Sequence, residues 1–443
     1  MPTAAIKTLG CKLNQYESQQ MREQLLRLGY TIVDANCPAD LYIVNSCTVT
    51  HHADSDTRRL ARRAKRLNPH AYVVVAGCYP QVARDELTAI PEIDLVCDQK
   101  EKARLADLLP GTLKHVPSSA KASPHDHLVH EFADFTRCFV KVQEGCNARC
   151  SYCIIPDARG PSRSVALPEV IEQTGELAQA GHPELVLIGT HLGQYGRDLE
   201  DEIDLVGLLL QLAVLPEVQR LRLSSIEPRE VTGELISLIA GGGHALKACC
   251  EKPSVEYAAP KLCRYLHVAL QSGSDTVLQR MRRPYAASFY ADLICRIHDA
   301  QPATGLGTDV IVGFPGETEK EFEQTRELLT GLPLSYLHVF TYSPRRGTPA
   351  ASMPDQVAYQ VALERNHVLR ELSERKRESF ARRMVGQTLE TVLQTDEGNG
   401  WLRGVTDNYL QLRVQAPDTM LGSIVACSVT DSDAGALIGT LKT

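Results

Sequence analysis

Long apolar runs are missing from this 443-residue chain. The longest, such as Tyr72–Cys78, fall far short of the roughly 20 residues that a membrane-spanning helix needs. No cationic start leads into an apolar stretch of the signal-peptide kind. Internal repeats and low-complexity tracts are absent too, and so is any global excess of basic residues. The formal net charge is −7, so a nucleic-acid site would have to be a local basic patch. Nor do the fourteen cysteines, irregularly spaced in a long chain, resemble a small disulfide scaffold; they suit a reducing compartment and metal work. The expectation is a soluble cytoplasmic protein, without membrane contact, large enough for about three domains.

The most informative stretch is Glu144-Gly-Cys-Asn-Ala-Arg-Cys-Ser-Tyr-Cys153, which places Cys146, Cys150 and Cys153 at C-x3-C-x2-C spacing. Thiolates crowded on one short loop suit an iron–sulfur cluster. Three ligands for a four-iron cluster leave one iron open to a substrate. A structural zinc site normally closes four ligands as two pairs, which this loop does not offer, and three unrelated thiols are the other alternative. The loop follows an apolar strand, Cys138–Val142, and carries Tyr152 before its last cysteine. It resembles the radical S-adenosylmethionine (SAM) superfamily, whose open iron takes the amino and carboxylate groups of SAM.

Around this loop the chain divides into residues 1–116, a Ser-, Pro- and His-rich linker at 117–136, and segments 137–378 and 379–443. In the first, apolar runs at Ala4–Leu9, Leu41–Val44, Tyr72–Ala76 and Ile93–Val96 alternate with helical patterns, which predicts a doubly wound α/β domain with a parallel sheet. The third segment has six strand candidates, Arg137–Val142, Glu184–Ile188, Val218–Leu223, Tyr265–Leu270, Gly307–Val312 and Leu337–Tyr342. Six units fit the open (β/α)6 partial barrel that the radical SAM resemblance implies, with chemistry at the C-terminal strand ends. A charged helix near Val357–Met384 then leads to five short strand candidates, expected to form a small antiparallel β-barrel.

Cys11, Cys47 and Cys78 each follow an apolar run of the first domain. In a parallel sheet these positions share the C-terminal edge, where open α/β sheets bind ligands. One such cysteine would be read as a small buried hydrophobe; three at equivalent strand ends favour a second cluster. Cys97 also follows an apolar strand, and as a fourth ligand it would close that cluster.

Thr-Leu-Gly-Cys-Lys-Leu-Asn-Gln (8–15), Asn-Ser-Cys-Thr-Val-Thr (45–50) and Gly-Cys-Tyr-Pro-Gln (77–81) resemble the methylthiotransferase family. The match continues through Ser-Ser-Ile-Glu-Pro (224–228), Leu-Gln-Ser-Gly-Ser (270–274), residues 307–317 and residues 340–350. The resemblance implies a radical SAM enzyme with a terminal TRAM β-domain, which replaces C–H by C–S–CH3. It implies two 4Fe-4S clusters, one held by Cys146, Cys150 and Cys153 to cleave SAM, the other held by Cys11, Cys47 and Cys78 to present sulfur. Gly189, Thr190, Ser225, Gln271, Arg282 and Gly313 occupy strand ends or following turns where SAM should lie, although packing or capping would explain each polar one equally well. Lys12-Leu13-Asn14 is similar to the branch that acts on N6-threonylcarbamoyladenosine in tRNA; other branches modify isopentenyladenosine or a ribosomal-protein aspartate. An electron donor such as flavodoxin or ferredoxin and a source of sulfur are implied as partners.

Local charge agrees with an RNA substrate. Arg58, Arg59, Arg62, Arg63, Lys65 and Arg66 contain no acid among them, and Arg58, Arg62 and Arg66 form one i,i+4 stripe on a helix. A solvated face is the alternative. Arg345 and Arg346 are further candidates for tRNA contact. Two features depart from the family pattern. Gly241–Leu262, with Cys249 and Cys250, looks like an insert, either a flexible surface loop or a redox or metal accessory. From Phe380 onward there are five Lys/Arg against seven Asp/Glu, which argues against an electrostatic grip on tRNA there.

Overall fold

The structure is a computed structural model that describes residues 1–113, 129–130, 132, 135–200, 202–241 and 261–442. Most of the expected linker, and the insert with Cys249 and Cys250, lie outside the described residues.

The chain forms two compact units. The first comprises Met1–Phe132, Glu144–Arg163 and Ser343–Ala351. Its centre is a five-stranded sheet of β1 (Thr3–Thr8), β2 (Thr31–Val33), β3 (Leu41–Ser46), β4 (Tyr72–Gly77) and β5 (Leu95–Cys97), with helices α1 (Lys12–Arg27), α2 (His51–Leu67) and α3 (Cys78–Thr88) between them. The strand order β2-β1-β3-β4-β5, with every pairing parallel, is a doubly wound sheet whose switch point falls between β1 and β3. Strands β3 and β4 are buried almost throughout, which explains their continuous apolar runs rather than alternation. On α2, Ala61 and Ala64 meet the sheet and let the helix approach closely, while Arg59, Arg62 and Arg66 face outward. Thr50 caps α2 by accepting from the Ala53 amide at 3.2 Å.

The second unit comprises Ala133–Gln143, Ser164–Tyr342 and Ser352–Thr443. Parallel strands Arg137–Lys141, Glu184–Ile188 and Arg220–Leu223 form one sheet, and Tyr265–Val268, Gly305–Val312 and Tyr336–Thr341 form another with the short Ser225–Ile226. These are the six expected barrel strands, joined by a bridge between Leu221 and Leu262. Inside this barrel Glu184 is fully buried, with Arg222 Nε 2.7 Å from its Oε1 and Arg220 and Arg137 also paired to it. Burial alone would raise this carboxyl, but Arg222 and Arg220 outweigh it and hold it far below the usual carboxylate range. Helix Tyr359–Met384 lies before five strands that close into a barrel around Leu389, Leu393, Leu402, Leu412 and Leu437. One correction applies to the expected antiparallel barrel. Gln411–Gln415 and Ala436–Leu441 pair in parallel, and this non-local pairing removes the free edges.

Candidate metal centres

Strands β1, β3 and β4 are neighbours in register, Thr8 opposite Asn45 and Ser46 opposite Gly77, so their C-terminal ends are level. Cys11 precedes α1 directly, Cys47 follows β3 and Cys78 opens α3. Glycines make room for the thiols. Gly10 has φ +96°, and a Cβ there would sit 2.6 Å from Cys47 Cβ and 2.9 Å from its Sγ. Gly77 has φ +105°, and a Cβ there would meet the Ser46 carbonyl at 2.6 Å. Cys47 and Cys78 are buried and Cys11 is exposed, leaving the site open on one side. Burial, with smaller contributions from the neighbouring Cys78 and Cys11 thiols, pushes Cys47 up to about 11. Two buried thiols that resist ionisation, Cys47 and Cys78, fit a cationic iron centre, which would hold them as thiolates. His267, Asp309 and His338 bring three metal-binding atoms within 4.8 Å of one another. Cys97 sits elsewhere, fully buried beside Leu25, Leu105 and Leu109, and burial pushes it up to about 12.

Behind this triad lies a polar wall that the sequence did not reveal. Asn14 donates Nδ2 to the carbonyls of Leu9 at 2.7 Å and Ser46 at 2.9 Å, so one side chain ties the backbone before Cys11 to that before Cys47. Gln99 Nε2 donates to Cys78 Sγ at 3.0 Å. Arg159, Glu17 and Lys102 complete the wall, all of them buried.

The Cys146–Cys153 loop belongs to the same compact unit. Its entry glycine, Gly145, has φ +76°, and a Cβ there would meet the Pro161 carbonyl at 2.0 Å. The Cys146 amide donates to Gly160 O at 3.1 Å and the Cys153 amide to Cys150 O at 3.2 Å, which fixes the backbone at both ends of the loop. Each is half-buried, as a cluster open to a small molecule requires.

The other candidates distribute unevenly. Gly189 and Thr190 follow strand Glu184–Ile188, and Ser224 and Ser225 follow Arg220–Leu223. Thr190 Oγ1 and Ser224 Oγ are buried, with no hydrogen-bond partner among the described residues, on neighbouring strand ends; this is a cradle suited to a polar cofactor. Gln271 has φ +72°, and its amide is spent on Asp309 O. Gly313 has a packing reason, since a Cβ there would lie 2.5 Å from Ala362 Cβ. Arg282 is exposed in the turn after helix Asp275–Arg280.

Two of the basic candidates are committed to acids. Arg58 pairs with Glu86 at 2.9 Å and also donates to the Tyr79 hydroxyl. Arg345 is buried against Asp54 and Thr48, so a surface contact with phosphate at Arg345 does not fit. Arg62 lies 4.0 Å from Glu92, and Arg62, Arg66 and Arg346 remain exposed.

Residues 3–98 match the uncharacterized protein family UPF0004, and residues 140–329 match the radical SAM superfamily. The chain is 38% identical over 442 residues to threonylcarbamoyladenosine tRNA methylthiotransferase MtaB of Bacillus subtilis (strain 168), covering 97% of this chain and 94% of that protein. It is 36% identical to the MtaB of Aquifex aeolicus (strain VF5), covering 92% and 96%. It is 30% identical to the tRNA-2-methylthio-N(6)-dimethylallyladenosine synthase of Akkermansia muciniphila, covering 99% and 98%. Among solved structures, the radical SAM methyltransferase TsrM from Kitasatospora setae, with cobalamin and a 4Fe-4S cluster bound, superposes with a TM-score of 0.54 at 14% identity, covering 79% of this chain and 74% of that one. That likeness is one of fold.

Proposed function

The chain belongs to the radical SAM methylthiotransferases, and from that premise we propose that it converts N6-threonylcarbamoyladenosine at position 37 of tRNA to its 2-methylthio derivative. The observation that carries the proposal is the gathering of two cysteine triads in one compact unit of a chain 38% identical, over nearly its whole length, to a threonylcarbamoyladenosine enzyme.

The enzyme works with SAM and two 4Fe-4S clusters. Bound, these supply what no side chain can: radical removal of an unactivated C–H hydrogen, and the sulfur and methyl group that replace it. The chain binds and orients them. In this proposal Cys146, Cys150 and Cys153 hold one cluster, while Cys11, Cys47 and Cys78 hold the other. Burial of Cys47 and Cys78 keeps water from one side of their site, and exposure of Cys11 leaves the other side accessible. Thr190 and Ser224, on neighbouring strand ends of the second unit, offer buried polar atoms suited to a polar cofactor. The substrate's threonyl carboxylate asks for a cation, since an unpaired buried carboxylate is costly. Arg346, which is exposed, and Lys12, beside Cys11, are the candidates for that role, whereas Arg345 is taken by Asp54.

A one-electron donor of the flavodoxin or ferredoxin kind and a sulfur source complete the set of partners. Among the described residues no helix is long and apolar enough to cross a membrane, and a tRNA substrate would be met in the cytoplasm. Nucleoside mass spectrometry of tRNA from cells with and without the gene tests the function. The 2-methylthio form of threonylcarbamoyladenosine should vanish on deletion and return on complementation. Its persistence would refute the proposal.

A further inference from the structure

Helix Ile155–Arg159 starts two residues after Cys153 and ends in a guanidinium that is almost wholly enclosed, its side chain 1% exposed. Arg159 Nη1 donates to Glu17 Oε1 at 2.9 Å and to Glu144 Oε1 at 3.0 Å. Its Nη2 donates to Asn14 Oδ1 at 2.6 Å and to Glu17 Oε2 at 3.2 Å. The same Asn14 Oδ1 lies 3.9 Å from Cys11 Sγ, and its amide group holds the Leu9 and Ser46 carbonyls. A second buried cation, Lys102, also pairs with Glu17. The guanidinium interacts electrostatically with Cys78 and Cys11 as well as with Glu17. Enclosing two cations is expensive, and well-packed apolar side chains would serve stability at least as well. A purely structural tether therefore leaves this arrangement unexplained.

We propose that Arg159 is a positioning residue that orients the Cys11, Cys47 and Cys78 triad through Asn14 and sets the reduction potential of the cluster held there. A fixed positive charge beside a cluster stabilises its reduced, more negative form, and charge and hydrogen bonds beyond the ligands are what tune such potentials. Because Arg159 ends the helix that continues the Cys146–Cys153 loop, one side chain both anchors that loop to α1 and adjusts the electrostatics of the other triad. The inference rests on reading Cys11, Cys47 and Cys78 as cluster ligands.

The test compares reconstituted full-length protein with its Arg159→Gln, Arg159→Lys and Lys102→Met variants. Iron content and the midpoint potential of each cluster are measured by redox titration followed by EPR, with signals assigned from variants lacking one triad or the other. Arg159→Gln should make reduction of the Cys11/Cys47/Cys78 cluster less favourable by about tenfold or more, about 59 mV for one electron, and leave the other cluster in place. Arg159→Lys should recover most of that shift. Lys102→Met should move the same potential in the same direction, and it carries the test if Arg159→Gln does not load iron. Unchanged potentials, or equal shifts of both clusters, would overturn the proposal. Failure of the ligand reading shows separately, as full iron loading in a Cys11, Cys47 and Cys78→Ala variant.

Discussion

Gly10→Ala should cost the protein one of its two clusters, although the substitution adds a single methyl group and replaces no ligand. Two effects combine. At φ +96° an L side chain is strained by roughly 1–3 kcal/mol. The new methyl would also stand 2.6 Å from Cys47 Cβ and 2.9 Å from Cys47 Sγ, about 1 Å inside the separation of roughly 3.5 Å at which carbon atoms pack comfortably. Cys47 is only 7% exposed, at the end of a strand buried throughout, so it cannot yield toward solvent. Metal–ligand bonds tolerate about 0.2 Å of error, and a displacement several times larger removes Cys47 as a ligand. Anaerobic reconstitution should then load about four irons per chain instead of about eight, with reductive cleavage of SAM retained. Gly400→Ala is the control. Gly400 has φ +75°, and a Cβ there would meet nothing within 4 Å, so the variant bears the backbone strain but should load iron fully. If Gly10→Ala also loads about eight irons and spectroscopy shows both clusters intact, the steric reasoning at this sheet edge is refuted.

Replacing Cys146, Cys150 and Cys153 by alanine should halve the iron and abolish SAM cleavage; replacing Cys11, Cys47 and Cys78 should halve it while cleavage to deoxyadenosine survives. A further loss of iron in Cys97→Ala would contradict the apolar setting of that thiol. Neutralising Arg62 and Arg66 should weaken tRNA binding across sequences and reduce the log–log salt slope by roughly one to two units, measured by titration at several salt concentrations; an unaltered slope would return this face of α2 to solvent. Glu184→Gln leaves the buried Arg220 and Arg222 without their anion and should destabilise the second unit by about 3–5 kcal/mol in denaturant unfolding. Since the Glu184 carboxyl is held below its usual range, its contribution is complete above the unfolded-state value of about 4.3 and is lost as pH falls through the lower folded-state value. A mutant matching the parent at pH 7 would show that the pair contributes nothing.

The placement of the candidate cysteines was legible because each signal is local: three thiols on one loop, or one thiol after each of three apolar strands. Parallel register then brings those strand ends together without further information. The barrel strands were readable for the same reason. Strand β2 was missed because Thr31–Val33 is three residues long and half exposed, which leaves no periodicity to detect. Arg159 and Glu17 stand 142 residues apart; in sequence each looks like an ordinary surface charge, and only their burial against each other gives them meaning. Arg345 misled in the opposite direction. Its place beside Arg346 on a strand-end loop suggested an exposed cation, but Asp54, far away in sequence, encloses it. The parallel closure of the last barrel was hidden because it depends on a pairing between non-consecutive strands.

The most direct test of the central claim is the reaction itself. Purified, reconstituted enzyme is given SAM, a reductant and two tRNAs, one bearing threonylcarbamoyladenosine and one isopentenyladenosine, and the nucleosides are analysed by mass spectrometry. A site that makes polar contacts with the threonylcarbamoyl group should reject the apolar analogue strongly. Methylthiolation at C2 is expected on the first tRNA and not on the second. Product only on the isopentenylated tRNA would contradict the substrate assignment, and no product on either would contradict the enzyme's proposed action on tRNA.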